Sequence, residues 1–258
     1  MFNIIDTYFR TRKLLHIAGS YQTGKSLLVK DIVNFYAQRI HNGKTEQKNP
    51  ENPDFYVLDT ENKFPKSLYS YHLPQNFLDN NVFVNRSTNS IQFLKTLRYL
   101  SGKKSPLQRG DFVIVDSVSE FIKQNIQHVH DYHEWKAETE YIKSRLIPML
   151  VKLMMRKKVR VILVHHISYH PGQEKEVPYY LDLFRVLKGM WFFLKPITVD
   201  SDNPDNPDNP DNPAEKKQQY KLNLNLEVEH HSERLGPRKK TFSRQYIYEI
   251  ENGCIRIS

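Results

Sequence analysis

Cysteine is nearly absent: Cys254 is the only one in 258 residues. That excludes a disulfide framework and a zinc site built on thiolates, and it makes a reducing cytoplasm the expected compartment. Long apolar runs are missing too. No stretch approaches the roughly 20 residues that span a bilayer, and mean hydropathy is −0.65, so no membrane attachment is expected. The opening Met1-Phe2-Asn3-Ile4-Ile5-Asp6 lacks the basic and apolar regions of a secretory signal. Acidic residues are outnumbered, 29 against 38 Lys and Arg, for a net charge of +9. This balance suits either a polyanionic partner or a merely lysine-rich solvated surface. Hydrophobic residues at 39% suffice for a sizeable core. The length fits one large α/β domain or two small ones.

Among what is present, Gly19-Ser20-Tyr21-Gln22-Thr23-Gly24-Lys25-Ser26 is the most informative stretch. It satisfies G-x-x-x-x-G-K-[ST] at every fixed position. In such a loop the glycines let backbone N–H groups turn inward around phosphates. The lysine brings a point charge to the β/γ-phosphates, and the serine hydroxyl can ligate Mg²⁺. The context agrees. Leu14-Leu15-His16-Ile17-Ala18 reads as a buried strand running into the loop. Leu28, Ile32, Phe35, Tyr36 and Ile40 recur at helical spacing after it. A strand, a glycine loop and a helix N-terminus in that order favour an anion. Residues Gly19 to Leu27 are therefore the expected phosphate-binding set.

Further apolar runs predict four more strands in the core: Phe55–Leu58, Asn81–Val84, Phe112–Val115 and Val159–Val164. Helices are predicted at Ile91–Leu100 and about Glu134–Lys158, the latter kinked or split by Pro148. Apolar strands alternating with helices indicate a mainly parallel sheet covered on both faces. Met190–Leu194 predicts another strand. Asp202–Pro213 is a four-fold Asp-Asn-Pro repeat without one apolar residue. Such a segment cannot bury a core, and a disordered loop at 201–215, between strands of a single domain, is expected. Lys221–Val228 alternates strictly, as a half-buried strand does. Arg244–Ile250 and Cys254–Ile257 predict a C-terminal hairpin across Asn252-Gly253.

In open α/β sheets ligands sit at the carboxyl ends of the strands. Asp116 follows Phe112–Val115 there and is placed to hold Mg²⁺ together with Ser26. Ser117 follows it, so no adjacent glutamate can activate water. Glu61, at the end of the neighbouring strand, is the candidate base. His165-His166 ends the fifth strand.

Together these residues resemble the RecA-like recombinase family, most closely the archaeal RadA/RadB group and its KaiC-like relatives. The resemblance rests on Gly19–Ser26, on Asp59-Thr60-Glu61-Asn62-Lys63-Phe64, on Val113-Ile114-Val115-Asp116-Ser117, and on the tail from Gly236-Pro237 to Gly253-Cys254-Ile255. It implies a RecA-like P-loop core, ATP and Mg²⁺ as cofactors, Glu61 as catalytic glutamate, and action in DNA recombination or repair. It also implies a homo-oligomer or a recombinase partner. The chain departs from the family at His165-His166, where an asparagine–glutamine pair is usual and the glutamine senses the γ-phosphate. Either His166 takes that role, or sensing is lost and hydrolysis is slow. The chain reaches its first strand at Leu14, without the helical N-terminal DNA-binding domain of full recombinases. An accessory paralogue is therefore expected.

The family's second DNA-binding loop corresponds to Ser168–Lys188. Lys175, Arg185 and Lys188 are interleaved there with Tyr169, Tyr179, Tyr180 and Phe184, a composition suited to single-stranded DNA. Glu174, Glu176 and Asp182 oppose that reading. The first such loop corresponds to Lys123–Trp135, whose His128, His130 and His133 match no metal-ligand motif. A GTPase is disfavoured because Asn62-Lys63-Phe64-Pro65 breaks the guanine-reading pattern. A small-molecule kinase and a non-hydrolysing, nucleotide-locked assembly subunit stay open as alternatives.

Overall fold

The computed structural model describes residues 2–21, 23–42, 53–61, 75–87, 89–170, 175–184, 186–196, 218–232, 236–251 and 254–257. The chain is α/β. Six strands form an all-parallel sheet in the order β7 (Met190–Pro196), β1 (Leu14–Gly19), β5 (Arg160–His170), β4 (Phe112–Asp116), β2 (Phe55–Asp59) and β3 (Val82–Arg86). Beyond β7 the backbone continues antiparallel through β8 (Gln218–Ser232), β9 (Gly236–Glu251) and β10 (Cys254–Ile257). A short β6 (Lys175–Pro178) pairs with the end of β5.

Side-chain alternation sorts the sheet into two cores. Phe112 and Ile114 of β4 face one side, with Leu15, Ile17, Phe55, Val57, Ile162 and Val164. That face is covered by α1 (Phe2–Thr11), α2 (Lys25–Asn42) and α3 (Gln75–Asn81). Val113 and Val115 face the other side, beneath α4 (Ser90–Ser101), α5 (Val118–Ile126), α6 (Tyr132–Met155) and α7 (Leu181–Phe184). Both faces of β4 are thus dry, which is why such strands read as unbroken apolar runs. Each fully buried Phe or Leu contributes about 1.5–3 kcal/mol of transfer free energy.

Local caps fix where the helices start. Asn89 caps α4 by accepting from Ile91 N, Ser117 caps α5 by accepting from Glu120 N, and Asp131 caps α6 by accepting from His133 N and Glu134 N.

Several sequence expectations are corrected. α6 runs unbroken through Pro148 rather than splitting there. Pro148 faces solvent, so its ring and missing N–H disturb no packed side of the helix. Strand β5 does not stop at Val164 but continues to His170, because β6 pairs with its extension. Helices α1 and α3 were not anticipated. Ile5 and Phe9 of α1, one turn apart, plug the sheet's first face. The Asp-Asn-Pro repeat and the Asn252-Gly253 turn lie outside the described residues. No helix among the described residues is long and apolar enough to cross a membrane.

Candidate functional site

Parallel register brings the sequence candidates to one sheet edge. Gly19 at the end of β1 lies opposite His166 on β5, and Asp59 at the end of β2 lies opposite Asp116 on β4. Backbone bonds carry the pairing one step further: Thr60 N donates to Asp116 O at 2.8 Å, and Ser87 N to Asp59 O at 2.9 Å.

The glycine loop is tightly built. A Cβ on Gly19 would sit 2.4 Å from Thr23 Oγ1 and 3.0 Å from the Leu194 carbonyl oxygen, so only glycine fits there. Gly24 has φ 79°, in the left-handed region that glycine adopts freely. Its carbonyl accepts from Leu28 N at 2.9 Å, starting α2. The loop curls around Lys25, whose Nζ donates to the carbonyls of Gly19 at 3.0 Å and Ser20 at 2.5 Å. Thr23 Oγ1 donates to the same Ser20 carbonyl at 2.9 Å. Leu27 lies in the first turn of α2, half-buried, and Gln22 lies outside the described residues.

Ser26 Oγ donates to Asp116 Oδ2 at 2.6 Å, joining residues 90 apart in sequence across the intervening strand β5. Burial pushes the Asp116 carboxyl up to about 7. The Ser26 hydrogen bond and Lys25 pull it down, while Glu61 and Asp59 push it further up. A buried acid with this burden is stabilised by a nearby cation. A carboxylate and a hydroxyl are also the hard oxygen donors that suit Mg²⁺ shared with phosphate and water. Among the described residues no group of three or more His, Cys, Asp or Glu side chains is arranged to hold a metal. His128, His130 and His133 therefore form no such centre.

Glu61 is nearly buried, and its Oε1 is hydrogen-bonded to His166 Nε2. The His166 ring is in turn stacked on Tyr21 of the loop, with centroids 4.4 Å apart and planes 15° from parallel. Glu61 N donates to Asp59 Oδ1 at 3.1 Å. The site thus brings together Lys25, Ser26, Asp116, Glu61 and His166. Among the described residues of Ser168–Lys188, the end of β5 pairs antiparallel with β6, and the short helix α7 follows. Lys188 is exposed beyond α7. The Lys175 side chain and Arg185 lie outside the described residues.

Sequence reasoning missed several participants. Thr60 Oγ1 donates to Ser117 O at 2.8 Å and accepts from Ser117 N at 2.9 Å, tying the ends of β2 and β4 together. Ser119 Oγ accepts from His166 N at 3.1 Å. On the opposite face of β5, His165 pairs with His16 through Nε2 and Nδ1 at 2.9 Å. His16 stacks on Trp191, with centroids 3.9 Å apart. Burial holds His16 down to about 3 and His165 well below its ordinary value, so the pair is neutral and one ring donates to the other. A histidine inside an apolar run gave no signal of this beyond its polarity. No protein-family model and no curated protein matches the chain.

Proposed function

We propose that the protein is a Mg²⁺-dependent ATPase with a RecA-like core and a C-terminal hairpin extension, acting as an accessory in DNA recombination or repair. The observation that carries this reading is the 2.6 Å contact between Ser26 and Asp116. It unites the phosphate-loop serine with the acidic end of a different strand, the pairing a nucleotide-bound Mg²⁺ needs. When bound, the ion neutralises charge on the phosphates. The chain does the rest. Backbone N–H groups of the loop and the N-terminus of α2 attract the phosphates. Lys25 leaves two backbone carbonyls for a fully charged partner. Glu61 accepts a proton from an attacking water. Single-stranded DNA is the polyanion that the Lys175–Lys188 composition and the +9 charge favour. Self-association or a recombinase partner completes the reading.

A second reading, the nucleotide-locked assembly subunit, is favoured by one observation. The base candidate Glu61 is already engaged by His166, which suits binding without turnover. Steady-state ATP hydrolysis with and without single-stranded DNA, beside Glu61→Gln, separates the two. DNA-stimulated turnover lost in the variant supports the ATPase. Nucleotide binding with negligible turnover under both conditions supports the assembly subunit. No nucleotide binding at all rejects both.

A further inference from the structure

Two stacked and bonded rings join the glycine loop to the candidate base. Tyr21 lies on His166, and His166 holds Glu61. We propose that Tyr21 is a positioning residue that latches Glu61 through His166 and releases it when the glycine loop takes up a triphosphate. This rests on the nucleotide reading above.

The two ends of this relay differ in burial and anchoring. His166 is anchored. Its N donates to Ser119 Oγ at 3.1 Å, its carbonyl accepts from Tyr179 N at 2.8 Å, and it is paired in register with Gly19 inside the sheet. Its side chain is 5% exposed. Tyr21 is 57% exposed, on a loop bounded by Gly19 and Gly24. If one partner moves, it is Tyr21.

The trigger is one residue away. The Lys25 ammonium donates to Ser20 O at 2.5 Å, and Thr23 donates to that same oxygen. Hydrogen bonds between two charged groups are stronger than those from a charged donor to a neutral carbonyl. A triphosphate therefore draws Lys25 away from Ser20, whose neighbour is Tyr21. With the stack loosened, the imidazole has less to hold it against Glu61. The carboxylate is then free to turn toward a water. Fixed toward β5, Glu61 Oε1 is poorly placed for that task, since a base must lie within hydrogen-bond reach of the proton it takes.

The test uses the full chain with Tyr21→Ala and the conservative Tyr21→Phe. Three quantities are read: kcat without DNA, affinity for a fluorescent ATP analogue, and the His166 ring resonances in histidine-labelled protein. An aromatic stack of ordinary strength predicts a rise in kcat of about two- to tenfold for Tyr21→Ala. Tyr21 belongs to the loop expected to bind phosphate through its backbone N–H groups, so affinity is read alongside and kcat is compared at saturating nucleotide. Tyr21→Phe should restore the lower rate. The His166 resonances should move when nucleotide is added to the parent, and should already be displaced in nucleotide-free Tyr21→Ala. A kcat at or below the parent's with affinity retained overturns the latch. So do His166 resonances indifferent to Tyr21, which decide the matter if the parent binds without turnover. Failure of the parent to bind nucleotide removes the reading beneath the latch, a result distinguishable from either.

Discussion

The proposed ATPase gives Lys25, Glu61 and Asp116 separable tasks, and each substitution has its own signature. Lys25→Ala removes the charge that the loop cradles. Nucleotide affinity should fall by at least about 30-fold, the worth of a charge-assisted hydrogen bond; a dissociation constant within threefold of the parent by calorimetry would refute the role. Glu61→Gln keeps the shape of the side chain and loses its basicity. Binding should persist while turnover drops about 10²-fold or more, measured as kcat under saturating ATP. Asp116 and Asp31 are both pushed up to about 7 by burial, from an ordinary 3.8. Over that window the native state keeps protons that the unfolded chain has released, so unfolding releases protons. The sign is fixed by linkage: metal-free stability declines as pH rises from about 4 to about 7, then levels off. Chemical denaturation in EDTA across this range checks it. Asp31→Asn and Asp116→Asn should each flatten part of the slope, and a stability that rises over the window would contradict the assignment.

At the scale of elements, the core strands were legible because parallel strands buried on both faces must be continuous apolar runs, as Phe112–Val115 is. The edges of elements were less legible. Nothing in Val159–Val164 says that β5 continues, since its extension depends on pairing with β6, a non-local partner. Helix α3 is short, seven residues, and its pattern too brief to carry a period. Pro148 did not split α6 because the cost of one missing backbone bond, at an exposed position, is outweighed by burial of the apolar residues on the helix's inner side. Exchanging it for alanine should restore one backbone bond to α6 and stabilise the protein by about 1–2 kcal/mol, read as a higher melting temperature. Gly189 makes the opposite case. A Cβ there would lie 2.7 Å from His16 Cδ2 and 3.0 Å from Leu14 Cγ, both buried. Gly189→Ala should cost about 1–3 kcal/mol by overpacking the join of β1 and β7; an unchanged denaturation midpoint would mean that the histidine moves freely aside.

Taken as a whole, the molecule gathers its candidate site residues at one edge of the parallel sheet. The motif residues of that edge were readable because each sits at the end of an apolar run, where strand and loop chemistry meet. The contacts among them were not. His166 to Glu61 and His16 to His165 depend on which strands are neighbours, and strand order is a property of the whole chain. The strand order also gives β5 a meaning that no motif conveys. It stands between the strand feeding the glycine loop and the strand ending in Asp116, so two strand spacings, roughly 10 Å, separate those backbones. β5 therefore acts as a spacer gauge. Its adjacent His165 and His166 face opposite sides, His166 into the site and His165 into the interior beneath α7, so the width of the site and the packing of the far face are set by the same strand. A change in bulk on the hidden side, at His16 or Trp191, is then felt as a change in the gap that Ser26 has to bridge.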